Sequence, residues 1–230
     1  MKLAIFNGSP RNKKSNSGLL IKQFLTGYNR VSSDESVSVH YIADRKQKEG
    51  LKDIFQKAET VIIIFPLYTD CMPGIVKEFF ESIVNLNFTH TKKIGFIVQS
   101  GFPEAIHSIY IERYLKKLTK RLKCEYLGTI IKGGVEGIQT MPAWMTKRIF
   151  SRFQELGQHF AKNNSFSSKI QEELRKPYKM SLMKRFVFNI INKTGLTNFY
   201  WNRNLKKNGA FENRFDKPFK EEINNTQHFV

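Results

Sequence analysis

The sequence predicts an α/β fold: a five-stranded parallel sheet in the order 2-1-3-4-5, layered between helices, followed by a helical C-terminal extension. Three observations predict it. Short apolar runs alternate with longer windows of helical periodicity as far as residue 161, and strands that alternate with helices pair in parallel through right-handed crossovers. Two of the runs, VIIIF (61–65) and IGFIV (94–98), are apolar throughout, as strands covered on both faces are. The alternation then stops at NNSFSS (163–168), a turn-rich break. Residues 1–164 are therefore expected to form the sheet domain and residues 165–230 a basic, aromatic extension.

The first strand is KLAIF (2–6), ended by the turn signal NGSP. A helix follows over 17–27, carrying Leu19, Leu20, Phe24 and Leu25. SVSVHYI (36–42) alternates Val37, Val39 and Tyr41 with polar residues, which marks a strand with one less covered face. Residues 50–58 form a short helical window. After VIIIF, residues 73–86 place Ile75, Val76, Phe79, Phe80, Ile83 and Val84 on one helical face, with Pro73 suited to its first turn. IGFIV, a helix over 104–123, the strand EYLGTII (125–131) and a helix over 144–161 complete the series. In the extension, MSLMKRFVFNIINKTG (180–195) is a basic helical stretch with Met180, Met183, Val187, Ile190 and Ile191 on a broad apolar face. Packing on the sheet domain or across a dimer is the expected role, with lying on anionic lipid as the alternative.

Composition narrows the function classes. The chain has 230 residues, 38 Lys and Arg against 20 Asp and Glu, and a net charge of +18. Such a surface attracts anions of any kind. The 13 Lys and Arg and 6 Asp and Glu from residue 165 onward leave +11 for the residues before, so the charge is spread along the chain rather than held in one arm. Two cysteines, Cys71 and Cys124, exclude a disulfide scaffold and a multi-cysteine metal site. His40, His90, His107, His159 and His228 show no metal-ligand spacing, and no carboxylate pair or Ser-His-Asp set stands out. The apolar run at Leu3–Phe6 is too short for a signal peptide, and VIIIFPLY is too short to span a bilayer. A soluble, cytoplasmic protein without stable membrane insertion is expected.

Two loops carry the chemistry. NGSPRNKKSNSG (7–18) joins the first strand to the first helix, at the mouth of the crevice where strand order reverses. Its composition suits a phosphate monoester. Gly8 admits close backbone approach, Ser9, Ser15, Asn16 and Ser17 offer neutral donors, Arg11 forks onto phosphate oxygens, and the helix beginning near Ser15 points its positive end the same way. A polar turn with a serine cap accounts for the same residues. FPLYTDCMPG (65–74) follows the third strand, pinned by Pro66 and Pro73; a proline-punctuated turn with Tyr68 packed is its plainer reading. QSGFPE (99–104) and KGGVEG (132–137) follow the fourth and fifth strands. Cys71, inside the second loop, is expected to be a buried spectator thiol.

The Gly-Ser-Pro-Arg opening followed by Asn16 and Ser17, and Pro-Leu-Tyr followed by Met-Pro-Gly, resemble the flavodoxin-like NAD(P)H-dependent FMN reductases and quinone reductases over about residues 1–160. That resemblance implies a flavodoxin-like three-layer sandwich, bound FMN and NAD(P)H as co-substrate. It places Ser9, Arg11, Asn16 and Ser17 on the FMN phosphate. Pro66, Leu67, Tyr68, Thr69 and Asp70 would follow the ribityl chain and the ring edge with backbone groups, and Ser100, Gly101 and Phe102 would wall the ring. Chemistry would be flavin-centred, with hydride passing through N5 to a small-molecule acceptor (a quinone, a nitro or azo compound, or free flavin) and no catalytic side chain required. A homodimer is also implied. A flavodoxin-type electron carrier without its own substrate is the alternative, although such carriers are typically acidic. Nucleic-acid binding, which the charge alone would allow, finds no recognisable module here and is not expected.

Overall fold

The computed structural model describes residues 2–32, 37–44, 46, 48–86, 91–195 and 198–217. It forms two compact units, Met1–Lys179 and Met180–Val230.

In the first unit five strands, β1 (Leu3–Asn7), β2 (Val37–Tyr41), β3 (Thr60–Pro66), β4 (Lys93–Gln99) and β5 (Glu125–Lys132), pair in parallel in the order β2-β1-β3-β4-β5. The helices between them are α1 (Asn16–Tyr28), α2 (Leu51–Lys57), α3 (Gly74–Ile83), α4 (Ile109–Arg121) and α5 (Ala143–Asn163). The architecture is that expected from the alternation of apolar runs and helical windows. The first residue of the expected second strand, Ser36, lies outside the described residues.

Side chains along the central strands point alternately to two cores. On one face Leu3, Ile5, Ile62, Ile64, Ile97 and Ile130 meet Leu20 and Phe24 of α1 and Phe153, Leu156 and Phe160 of α5. On the other Phe6, Val61, Ile63, Phe65, Phe96 and Val98 meet Phe55 of α2, Phe79 and Phe80 of α3 and Leu115 of α4. This double coverage is why the interiors of β1, β3 and β4 are apolar. β2, at one edge, is half-buried at every position rather than alternating between a covered and a less covered face, because an edge strand is only partly overlaid on both sides.

Two glycines set the distance between α1 and α5. A Cβ on Gly27 would stand 1.8 Å from the Gln154 carbonyl oxygen, and one on Gly157 would stand 1.9 Å from that of Phe24. The two backbones therefore touch directly. At the amino edge of the sheet, the buried Lys92 ammonium donates to the carbonyls of Ala58 and, at 3.3 Å, Gln56. It closes the C-terminal end of α2, whose last carbonyls have no intrahelical donor. Burial holds the Lys92 pKa below its usual value, against the opposing pull of Cys124 and Glu59.

The first unit runs past the break anticipated at residue 164. Phe166, in that break, is buried against Phe160, and a Cβ on Gly95 of β4 would meet its ring at 2.6 Å. A further helix, α6 (Ser168–Arg175), is then seated on β5. Gln171 donates to Thr129 O at 3.0 Å, Leu174 is buried, and Arg175 pairs with Glu112 of α4 at 2.7 Å. The turn-rich composition marks a change of direction, but Phe166 anchors it.

The second unit contains α7 (Leu182–Lys193) and α8 (Phe199–Lys207). Arg214 lies over the rings of Phe211 and Phe215, at 3.9 and 4.7 Å.

Candidate functional site

The carboxyl ends of β1, β3 and β4 lie side by side, and the three candidate loops leave from them. Asn7 at the end of β1 is in register with Ile64 of β3, and Pro66 at the end of β3 with Gln99 of β4. Gly8 N donates to Ile64 O at 2.8 Å, and Leu67 N to Gln99 O at 2.7 Å. The loops 8–15, 67–73 and 100–104 are thus neighbours along one edge of the sheet, where a doubly wound fold binds its ligand.

The first loop is organised by Asn7, whose importance the sequence reading missed. This fully buried side chain accepts from Ser9 N at 3.0 Å and donates to Asn12 O and Ser15 Oγ, each at 3.3 Å. A polar residue closing an otherwise apolar strand was its signal. Ser15 caps α1, accepting from Gly18 N at 3.0 Å. Asn16 and Ser17 form the first turn, where backbone N–H groups have no intrahelical acceptor. The Ser17 hydroxyl is fully buried and has no hydrogen-bond partner among the described residues. Ser9 is also buried, and Arg11, Lys13 and Lys14 are exposed around it. This collects neutral donors, a helix's positive end and cationic side chains about one place.

Asn16 is committed elsewhere. It donates to Val135 O at 2.9 Å and accepts from Gln139 at 3.0 Å, which ties the first loop to the segment after β5. Gln139 carried no sequence signal, because its partner is 123 residues away. Gly8 has a packing reason beside the one expected. A Cβ there would meet Val76 Cγ2 at 2.4 Å, so the close packing of α3 by itself demands the glycine.

The second loop makes a two-residue turn. Tyr68 and Cys71 exchange both backbone hydrogen bonds, at 2.9 and 3.0 Å, with Thr69 and Asp70 at φ 47° and 63° between them. Left-handed backbone at Thr69, a β-branched residue, is strained, and strain of this kind gathers at ligand sites. The N–H groups of Thr69 and Asp70 at the tip have no acceptor among the described residues. Pro66 and Leu67 are buried beneath, and Tyr68, Thr69 and Asp70 are exposed. Cys71 is exposed as well, contrary to the buried thiol expected, because the turn lifts it clear of the core.

The third loop is held to the segment after β5. Ser100 N donates to Lys132 O, Val135 N to Ser100 O and Gly134 N to Phe102 O, all at 2.8–3.0 Å. Ser100 is buried. Gly101 is exposed, and Phe102 is exposed with its ring 4.9 Å from that of His107. Burial holds Lys132, at the end of β5, below the usual lysine pKa, and the Arg148 charge pushes the same way. The structure therefore brings the three groups of candidate residues to one edge of the sheet, with Asn16 turned to a neighbouring loop. His90 and His228 lie outside the described residues; among those described, no group of three or more metal-binding side chains is clustered.

Comparison with known proteins agrees with this architecture. A family model described as the flavodoxin-like fold matches residues 1–148. No curated protein matches the sequence. Solved structures that resemble the chain include an NADPH-quinone reductase from P. pentosaceus, with 15% identity and a TM-score of 0.52 over 67% of this chain and 96% of that one. An FMN-dependent NADH-azoreductase from Bacillus anthracis, solved with FMN, shows 17% identity and a TM-score of 0.51 over 69% and 98%. An NAD(P)H:quinone oxidoreductase from Methanothermobacter marburgensis shows 11% and 0.53 over 69% and 94%. At these identities the likeness is one of fold. With well over half of its length matched by the family model and the 2-1-3-4-5 sheet in place, the chain belongs to the flavodoxin-like fold family.

Proposed function

We propose that this chain is an FMN-dependent oxidoreductase that passes hydride from NAD(P)H through flavin N5 to a small acceptor such as a quinone, a nitro or azo compound, or free flavin. The observation that carries the reading is the buried, unpartnered Ser17 hydroxyl at the head of α1. Burying a hydroxyl without a partner costs about 1–3 kcal/mol. A phosphate monoester seated on the free N–H groups of the same helix turn would supply the missing acceptor oxygen. The fold shared with an azoreductase solved with FMN supports the same ligand.

Bound FMN would supply the redox chemistry, taking two electrons as hydride from NAD(P)H and releasing them to the acceptor. The chain's own residues bind and orient. Ser9, Arg11 and Ser17 serve the phosphate, and Asn16 holds their loop against the segment after β5. The N–H groups of Thr69 and Asp70 serve the polar edge of the ring, independent of any rotamer. Ser100, Gly101 and Phe102 form the wall on the β4 side. The positive surface raises the local concentration of the anionic co-substrate.

The visible spectrum of the purified chain tests the proposal. Flavin absorption that bleaches under anaerobic NADH or NADPH and returns on adding a quinone is the expected result. Flavin absorption without NAD(P)H consumption would instead support an electron carrier, and a chain that neither retains nor takes up FMN would refute both.

A further inference from the structure

The second compact unit opens with a helix whose chemistry the proposed reduction does not use. Ser181 caps α7 by accepting from Lys184 N at 3.4 Å. Along the helix Leu182, Met183, Phe186, Val187, Ile190 and Ile191 recur as adjacent pairs every four residues, which gathers them into one stripe about half the circumference wide. All six are exposed, Leu182 at 81% and Met183 at 72%. A contiguous apolar face of this kind marks an interaction surface. α8 begins with Phe199, 71% exposed, and Trp201, and ends with Lys206 and Lys207.

Charge decides what covers the stripe. From residue 180 to residue 211 there is no Asp or Glu, whereas Lys184, Lys193, Arg203, Lys206 and Lys207 are all cationic. A second copy would bring the same uncompensated positive charge against itself, without a carboxylate to pair with it. An anionic bilayer matches both halves, with hydrocarbon for the stripe and phosphate for the lysines and arginine. Aromatic side chains such as Phe199 and Trp201 suit the level of the headgroups. α7 has 12 residues, and no described helix is long and apolar enough to cross a membrane, so the fitting arrangement is in the plane of the surface. We propose that α7 and α8 dock the protein on the surface of an anionic lipid bilayer, with the apolar stripe of α7 turned toward the acyl chains.

Sedimentation of the full chain with vesicles tests this, and the readout needs no flavin, so this proposal and the enzymatic one fail separately. The wild type should sediment with vesicles of phosphatidylglycerol in phosphatidylcholine and stay in solution with phosphatidylcholine alone. Raising the salt from about 0.1 M to about 0.5 M should lower binding roughly tenfold or more, as screening shortens the reach of the lysines. The double variant Phe186→Glu, Ile190→Glu should abolish binding while the far-ultraviolet circular dichroism is kept. Should that variant misfold, Lys206→Ala with Lys207→Ala, both exposed on α8, should still reduce binding several-fold. No sedimentation with phosphatidylglycerol vesicles, or equal sedimentation with both lipids, would overturn the proposal. So would a dimer that ignores vesicles and dissociates in the Phe186→Glu, Ile190→Glu variant, since a second copy would then be the occupant.

Discussion

Asn16 and Ser17 are adjacent in sequence, of similar polarity, and differently employed. Asn16 spends both ends of its amide on Val135 and Gln139, whereas Ser17 keeps a buried hydroxyl with no partner among the described residues. The sequence motif could not separate them, because the partners of Asn16 are more than a hundred residues away. The difference has a measurable consequence. Ser17→Ala should weaken FMN binding roughly tenfold to a hundredfold, the effect of losing one hydrogen bond to a charged group, and leave the stability of the FMN-free chain unchanged or raised. Titration of FMN fluorescence and a denaturant melt read the two quantities; an unchanged affinity would remove Ser17 from the phosphate site. The two thiols divide in the same way. Cys71 is exposed on its turn, while burial pushes the Cys124 thiol up to about 11, against the opposing pull of Lys92. At pH 8 a thiol reagent should modify exposed Cys71 quickly in the native protein and half-buried Cys124 far more slowly, with unfolding bringing the two rates together. Two equivalents reacting at one rate in the native state would contradict this arrangement.

At the scale of elements, what the sequence revealed depended on whether its signal was local. The doubly covered strands announced themselves as apolar runs, and α1 to α5 as periodic windows, since burial on a helix or strand face writes a period into the sequence. α6 was not legible. Its single fully buried residue is Leu174, and it is held mainly by Gln171 and Arg175 reaching β5 and α4. The strained turn at Thr69–Asp70 was also hidden, since neither residue is a glycine. Gly27 and Gly157 were equally silent, because a glycine within a helical window does not reveal which backbone passes beside it. Gly157→Ala should force α1 and α5 apart and cost about 3 kcal/mol, a fall in Tm of roughly 6–12 °C. Gly74→Ala, at the start of α3 with open space around its Cα, is the control and should be neutral or slightly stabilising. Equal melting temperatures for the two variants would mean that the helices do not meet as described.

For the whole molecule, pH and ligand each reach beyond a single site. Burial holds the His40 pKa below its usual value, so the folded chain binds this proton less readily than the unfolded chain does. The associated stability is complete above the unfolded value near 6.5 and is lost as pH falls through the lower, folded value. Chemical denaturation between pH 7 and pH 5 should therefore show declining stability, and His40→Gln should flatten that part of the decline; an identical slope in the variant would assign it to other groups.

The central claim is that the loops after β1 and β3 serve one mononucleotide. Amide chemical shifts of the isotope-labelled chain during an FMN titration test it most directly. The resonances of Ser9 to Ser17 and of Leu67 to Cys71 should move together, with one affinity, and saturate at one equivalent. Shifts confined to one loop, two separate affinities, or no shifts at either would contradict it.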